Sequence, residues 1–409
     1  MNKSINSQVN VNELKDVLKH VVNTNRVLQT KGLMPTAINV VGQAGLGKTS
    51  TISQVGIELG FKKENIVKLS LSTFEEIGDL IGIPVVEYKM IKKTKQEDGT
   101  VKTSALWISE MALSSYEKAG WTTTNSSRMS YSPPEWISGK SGPGILILDD
   151  YTRASQRFTQ AVMELVLCQE YASWSLPKGW TIILSSNPDD GAYNVTDQDP
   201  AQKSRYMNIE LGWDAEVWAQ WAEKNNIDSR CINFTLMNKE VVSGDRPEIN
   251  PRSISLFFNT ISSLPNFNDM ESLKLIQLLG EGSLGVEVTT QFTAFIHNKM
   301  DKLITTEEIL DTKVPFADIE NQLAEVVNTN EDYRGDIAFV IATRLLNYVE
   351  FKMTEDDITD DLKQRAEDII SSDVLGSDLK FVIGRKLINT HDAFTSLLFS
   401  KAVVDNILE

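Results

Sequence analysis

The sequence predicts an α/β fold: a parallel sheet covered by helices, followed by an all-helical region. Three observations carry this expectation. A glycine-rich loop at residues 42–49 joins a short apolar run to a helical one. Between about residues 37 and 211, strand-like and helix-like segments alternate, the pattern of a parallel sheet with crossover helices. From Trp213 onward strand signals fade and helical ones take over.

Taken in order, residues 11–30 (VNELKDVLKHVVNTNRVLQT) carry apolar positions at helical spacing, and Lys31-Gly32 supply a stop. Five strands are predicted, at TAINVVG, NIVKLSL, GILILDD, WTIILSS and RYMNIEL. Four of these are apolar runs without clean alternation, as expected of strands buried on both faces. Residues 83–108 (IPVVEYKMIKKTKQEDGTVKTSALWI) have two β-rich arms around Glu97-Asp98-Gly99 and read as a hairpin insertion. In WDAEVWAQWAEKNN, Val217, Trp218 and Trp221 are spaced to form one helical face. Asn250-Pro251-Arg252 reads as an N-cap followed by proline at the first helical position. Helical patterning continues at 271–280, 288–300, 317–328, 334–352 and 358–371. The expected organisation is therefore a helix and lead-in over 1–36, an α/β core over 37–212, a helical lid over 213–310 and a C-terminal helical region over 311–409.

Bulk properties narrow the class. A chain of 409 residues with 41% apolar and 23% charged content is ordinary for a soluble globular protein of two or three domains. No apolar run approaches the roughly eighteen residues that a membrane span needs, and the N-terminus has no apolar core of a secretory signal. Cys168 and Cys231 have no metal or redox spacing and read as reduced thiols in a cytoplasm. A formal net charge of −16 leaves no overall basic excess for a duplex nucleic-acid face and argues against nucleic acid as a partner.

The chemistry starts at the loop. Gly42-Gln43-Ala44-Gly45-Leu46-Gly47-Lys48-Thr49 fits G-x-x-x-x-G-K-S/T, and Ser50 follows it on the helix. Glycines let backbone N–H groups turn inward around a β-phosphate, and the following helix, over about 48–59, points its positive end at the same anion. Lys48 reaches the β/γ-phosphates and the Thr49 hydroxyl ligates Mg²⁺ in this reading. GILILDD ends in two acids, which places Asp149 at the metal and Asp150 at an attacking water. WTIILSSNPDD ends a strand in Ser185, Ser186 and Asn187. That amide can orient water or touch the γ-phosphate, although an Asn-Pro turn has the same local sequence. Arg205, just before a strand, reads either as a surface residue or as an arginine finger for a neighbouring subunit. Arg252 can approach the phosphates from a lid.

In this order, the phosphate loop, acidic strand end, Asn-tipped strand, Ser-Arg before a strand and Pro-Arg on a helix resemble AAA+ ATPases. ILILDDYTRAS, LPKGWTIILSSNPDD from Leu176, SPPEW at 132–136 and Asp79-Leu80-Ile81-Gly82 are similar to the MoxR-like and dynein-related branch of that family. The likeness covers roughly residues 13–300. It implies a P-loop NTPase core and lid, with ATP and Mg²⁺ as cofactors. Gly42 through Ser50 would bind the nucleotide, Thr49 and Asp149 the metal. Asp150 would polarise water, Asn187 act as first sensor, Arg205 as finger and Arg252 as second sensor. Two positions depart from the family. Asp150 stands where Glu is usual, a reach shorter by roughly 1.5 Å. Tyr151-Thr152 replaces Ile-Asn before Arg153.

The resemblance further implies a ring, six subunits being usual, and a client protein, with partners bearing von Willebrand factor A-type domains frequent in the branch. It also implies a hairpin inside the second core helix, projecting toward the pore. The rising arm here carries Lys89, Met90, Ile91, Lys92, Lys93 and Lys95, which suits an acidic client segment, although a solvated hairpin would look the same. Two other functions compete with ATP-driven remodelling. One is a nucleotide-dependent assembly switch that barely hydrolyses ATP; the other is a GTP-using motor subunit of a nuclease complex.

Overall fold

The computed structural model describes residues 8–96, 100–196, 198, 200–242, 246–297, 303–329 and 332–399. The chain divides into two compact units, residues 1–43 with 47–212 and residues 44–46 with 213–409.

In the first unit, helix α1 (Val11–Thr30) forms over the expected residues. Asn10 caps it by accepting from the Glu13 N–H, and the Glu13 carboxylate accepts from the Asn10 N–H in return. Its buried stripe is Leu14, Leu18, Val22 and Asn25. Asn25 is the polar exception, and its amide is satisfied by Thr36 and by the Thr181 hydroxyl. The chain then runs through β1 (Ala37–Val41), α2 (Lys48–Glu58) and β2 (Ile66–Ser70). An insertion of β3 (Ile83–Lys95), β4 (Val101–Ser109) and β5 (Thr122–Ser132) follows. The core resumes with β6 (Gly144–Asp149), α3 (Gln156–Cys168), β7 (Trp180–Ser186) and β8 (Tyr206–Glu210).

The five predicted strands form one parallel sheet in the order β8-β1-β7-β6-β2. Leaving β1, the chain skips two positions to reach the sheet edge at β2. It returns through β6 and β7 and then passes to β8 on the far side of β1. The strand order therefore switches direction at β1, where open parallel sheets gather ligands at the carboxyl ends of their strands. Ile145, Leu146, Ile147 and Leu148 are fully buried, as are most residues of β7. Each large aliphatic side chain so buried contributes on the order of 1.5–3 kcal/mol, which fixes the register that aligns the strand tips.

The insertion differs from the expected hairpin. It is a three-stranded antiparallel sheet in the order β4-β3-β5, so it extends to Ser132 rather than ending near 108. The third strand, TTTNSSRMSYS, has mostly exposed side chains and lacks the apolar alternation that marks a half-buried strand. The lysine-bearing arm is consequently the middle strand. Nor does the insertion interrupt a long helix, since only Gly78–Ile81 precedes it. Gly82 has φ 89°, and a Cβ there would run into the Ser132 carbonyl, so glycine is required where the insertion's two ends meet. The expected turn at Glu97-Asp98-Gly99 lies outside the described residues; beside it, the Gln96 N–H donates to the Thr100 carbonyl at 2.8 Å.

The second unit is helical apart from one short two-stranded pairing: α4 (Ala215–Lys224), α5 (Ser229–Met237), α6 (Pro251–Ile261), α7 (Met270–His297), α8 (Phe316–Val327), α9 (Gly335–Lys352), α10 (Asp360–Ser371) and α11 (Ser377–Thr390) are its longer helices. Gly285, at φ 76°, breaks α7. One apolar core runs from Trp218 to Leu397, so the division drawn at residue 310 does not separate two cores. Phe234, Phe258, Phe292 and Phe295 form its aromatic centre, with Phe234 edge-on to Phe292 at 5.0 Å. On α4 the inward face is Trp218, Ala219, Ala222 and Glu223, while Trp221 turns outward at 46% exposure, against the expected Val217-Trp218-Trp221 face.

A buried ion pair crosses the expected boundary between lid and C-terminal region. Arg344 of α9 donates to Glu223 of α4 at 2.7 Å and to Asn233 of α5 at 3.2 Å, and all three are buried. Glu223→Ala should cost about 3–5 kcal/mol, because it strands a buried guanidinium, whereas Glu223→Leu with Arg344→Met should be far milder. Urea unfolding followed by tryptophan fluorescence measures both.

Candidate active site

The site grows out of four strand tips in the first unit. Val41 lies beside Ser186 and Ser70 beside Asp149, so the residues that leave β1, β7, β2 and β6 emerge together. The loop after β1 bends through Gly45 (φ 81°) and Gly47 (φ 85°), both in the left-handed region that glycine enters without strain. The Gly42 N–H is held by the Ser186 carbonyl at 3.2 Å. Helix α2 starts at Lys48, with Ser50 exposed in its first turn, and leaves first-turn N–H groups available to an anion.

Lys48 is buried, at 8% exposure, and its ammonium is surrounded by acceptors. It donates to the Gly42 carbonyl at 2.6 Å, the Gln43 carbonyl at 3.0 Å and the Asn187 side-chain oxygen at 3.2 Å. Asn187, likewise buried, follows β7 directly. The Thr49 hydroxyl donates to Asp149 Oδ1 at 2.8 Å. Lys48, Thr49, Asp149 and Asn187, chosen from three separate sequence segments, thus form one cluster.

Burial works to raise the pKa of Asp149, but hydrogen bonds from Lys68, Thr49 and Ser185, with the charge of Lys68, outweigh it and hold the carboxyl below the ordinary aspartate range. An ionised carboxylate beside a hydroxyl is a hard-oxygen pair. It fits Mg²⁺, which characteristically takes one or two protein carboxylates and completes its shell with phosphates and water. Among the described residues no group of three or more His, Cys, Asp or Glu gathers that could hold a metal ion alone.

Asp150 sits at φ 51°, ψ 36°, a left-handed conformation that Asp tolerates better than most residues. No hydrogen bond to its carboxylate is found among the described residues. The next residues turn inward: Tyr151 is fully buried, with its ring edge-on to Tyr206 at 6.2 Å, so the departure at this position supplies core packing. Arg153 is exposed. Arg205 makes no hydrogen bond or ion pair with the cluster among the described residues. It lines a separate cavity of about 320 Å³ with Gln156, Thr159, Gln160 and Met163 of α3 and with Ala201 and Gln202. Arg252 belongs to the second unit, where it is exposed and its N–H donates to the Asn250 cap at 3.1 Å.

Two contributors escaped the sequence reading. Lys68 of β2 pairs with Asp149 Oδ2 at 2.8 Å, and its signal was a lysine inside an otherwise apolar strand. Ser185, fully within β7, adds a hydroxyl to the same carboxylate. Beneath the site, the Ser186 hydroxyl donates to Asn39 Oδ1 at 2.6 Å, and the Asn39 amide donates to Asn208 Oδ1 at 2.9 Å, linking β7, β1 and β8.

No protein-family model matches the sequence, and no curated protein matches it. Among solved structures, the chain is similar to Thermotoga maritima RuvB, described as a Holliday junction branch migration motor, at 11% identity over 80% of this chain and 86% of that one, with a TM-score of 0.36. It is also similar to a putative ATPase from Cytophaga hutchinsonii, at 12% identity over 86% and 88% of the two chains, with a TM-score of 0.30. NtrX from Brucella abortus gives 13% identity over 73% and 68%, with a TM-score of 0.32. Likenesses this weak add nothing to the fold, which rests on the strand order and the loop after β1. No described helix is long and apolar enough to cross a membrane.

The depressed pKa of Asp149 has a sign that can be tested. Its contribution to stability is complete above the unfolded aspartate pKa and is lost as pH falls through the lower folded value. Asp149→Asn should therefore lose less stability than the parent between neutral pH and the acid limb, read as urea midpoints at successive pH values.

Proposed function

We propose that this chain is an AAA+ ATPase of the MoxR-like kind, binding Mg-ATP and using its hydrolysis to remodel or assemble a partner protein. The observation that carries this reading is the meeting of Lys48 with Asn187 and of Thr49 with Asp149. A glycine-rich turn with only a structural role would not need a buried ammonium, a sensing amide and an ionised carboxylate at one strand edge. Mg²⁺ bound there would supply charge neutralisation for the phosphates. Lys48 and the loop from Gly42 to Ser50 hold the phosphates. Thr49 and Asp149 hold the metal. Asp150, one residue beyond, positions the attacking water, and Asn187 reads the γ-phosphate from beside Lys48.

Arg205 completes a neighbour's site in this proposal. Its guanidinium has no carboxylate partner among the described residues, and its place before β8 suits delivery across a subunit boundary. That role calls for an oligomer, and the family resemblance suggests a ring of six, with Arg252 as the lid's sensor. The client would be a protein, a von Willebrand factor A-domain partner being the resemblance's suggestion, in a cytoplasmic setting. The assembly-switch reading is kept alive by Asp150, whose short side chain leaves from a left-handed turn. Arg205→Ala should lower ATP turnover by at least about tenfold while nucleotide affinity stays within twofold, since fingers act on the transition state. A monomeric protein under saturating ATP in sedimentation, or a silent Arg205→Ala, would sink the ring reading. Higher turnover in Asp150→Glu would favour the switch.

The insertion is the proposed client contact. Lys89, Lys93 and Lys95 share one face of β3 by strand alternation, and Lys93 and Lys95 are exposed. Lys92 is engaged elsewhere, donating to the Ala119 carbonyl at 2.8 Å. The net charge of −16 disfavours a nucleic-acid partner for the chain as a whole, but this strip is locally basic. Because β3 is the middle strand, deleting residues 88–101 would dismantle the insertion, so charge reversal is the cleaner test. Lys93→Glu with Lys95→Glu should weaken binding of poly-glutamate at low salt several-fold and leave ATP turnover within twofold. Preferential binding of duplex DNA by the parent protein would overturn the protein-client reading.

A further inference from the structure

Asp149 has both carboxylate oxygens engaged by separate donors. Thr49 donates to Oδ1 at 2.8 Å, and the Lys68 ammonium sits 2.8 Å from Oδ2. The first donor is part of the metal-binding pair; the second is not. Lys68 comes from β2, the edge strand, at a position where the sheet needs no cation: its neighbours on the strand are Val67 and Leu69. Its side chain remains 49% exposed, while that of Asp149 is 14% exposed.

That asymmetry decides what the pair can do. A carboxylate at the buried end of the pair is fixed by β6 and by Thr49. A lysine at the exposed end has four rotatable carbons and water on one side, so its ammonium can withdraw at small cost. A divalent cation on Asp149 and an ammonium within a few ångströms repel one another strongly in a partly buried site. The two cations therefore exclude each other at this carboxylate.

We propose that Lys68 is a tethered cation that competes with Mg²⁺ for Asp149 and so raises the metal concentration at which the site fills. The inference rests on the Mg-nucleotide reading given above and deepens it. Lys68 is a positioning residue here: it acts through Asp149 and touches no reacting atom. It holds Oδ2 of the carboxylate while Thr49 holds Oδ1, and it gives way as metal enters with nucleotide. Removing its charge should improve metal binding, the opposite of what loss of a ligand or of a phosphate contact would do.

The test is a Mn²⁺ titration of the full chain saturated with ADP, with free Mn²⁺ read by its electron paramagnetic resonance signal. Lys68→Met, which keeps length and removes charge, should bind Mn²⁺ about threefold to fivefold more tightly, the range expected for a partly exposed ion pair. Lys68→Arg should stay within about twofold of the parent, since the competing charge is retained. Lys68→Gln, a second neutral variant, should follow Lys68→Met and guards against a folding defect in either. Unchanged Mn²⁺ affinity in both neutral variants overturns the proposal. Weaker affinity also overturns it and would place Lys68 on the nucleotide instead. If the parent protein with ADP binds no Mn²⁺, it is the Mg-nucleotide reading that fails, and this inference falls with it.

Discussion

A buried ammonium is tolerated only where acceptors surround it, and Lys48 meets that condition with two backbone carbonyls and the Asn187 amide. The rest of the first unit can be understood as the apparatus that brings those acceptors to one point. The carbonyls come from the loop that leaves β1, and the amide from the residue that leaves β7. They meet because β1 and β7 are hydrogen-bonded neighbours in parallel, and because the apolar runs that bury both strands permit a single register. Shift that register by one residue and Asn187 would exchange places with Ser186, whose hydroxyl is committed to Asn39.

The two units solve the problem of buried charge in different ways. In the first, charges are gathered at strand tips, each held by groups that a polyanion and its metal can replace. In the second, Arg344 is locked to Glu223 and Asn233, and Arg365 is buried against the carbonyls of Ile309, Asp311 and Val314. Those partners are side chains on packed helices and backbone carbonyls at the end of the 306–310 helical turn and in the loop after it. The first arrangement is suited to ligand turnover and the second to holding helices in one packing.

Much of this was legible in the sequence because it depended on local pattern. Helix 11–30 carried its stripe and its stop; four of the five core strands were apolar runs; Asn250-Pro251 named its own helix start. Lys48 and Thr49 were legible from the loop motif, and Asp149 and Asn187 from the polar ends of apolar strands; that the four meet is visible only in the structure. What stayed hidden depended on pairing without an apolar signal. The third insertion strand is Ser/Thr-rich and solvent-facing, so only its backbone partners reveal it. Lys68 was visible as a lysine in a strand, but its reach to Asp149 follows from β2 being the edge strand beside β6, which no local pattern states. The unity of the second core was hidden for the same reason, because it is built from contacts between helices more than a hundred residues apart.

Asp150 illustrates how backbone and chemistry constrain one residue together. The chain leaves β6 through a left-handed turn at this position, which carries Tyr151 into the core beneath Tyr206. Aspartate enters that conformation at lower cost than most non-glycine residues. Tyr151 is held by its burial and its edge-on contact with Tyr206, so the dihedral angles that place it in the core also set the turn at 150.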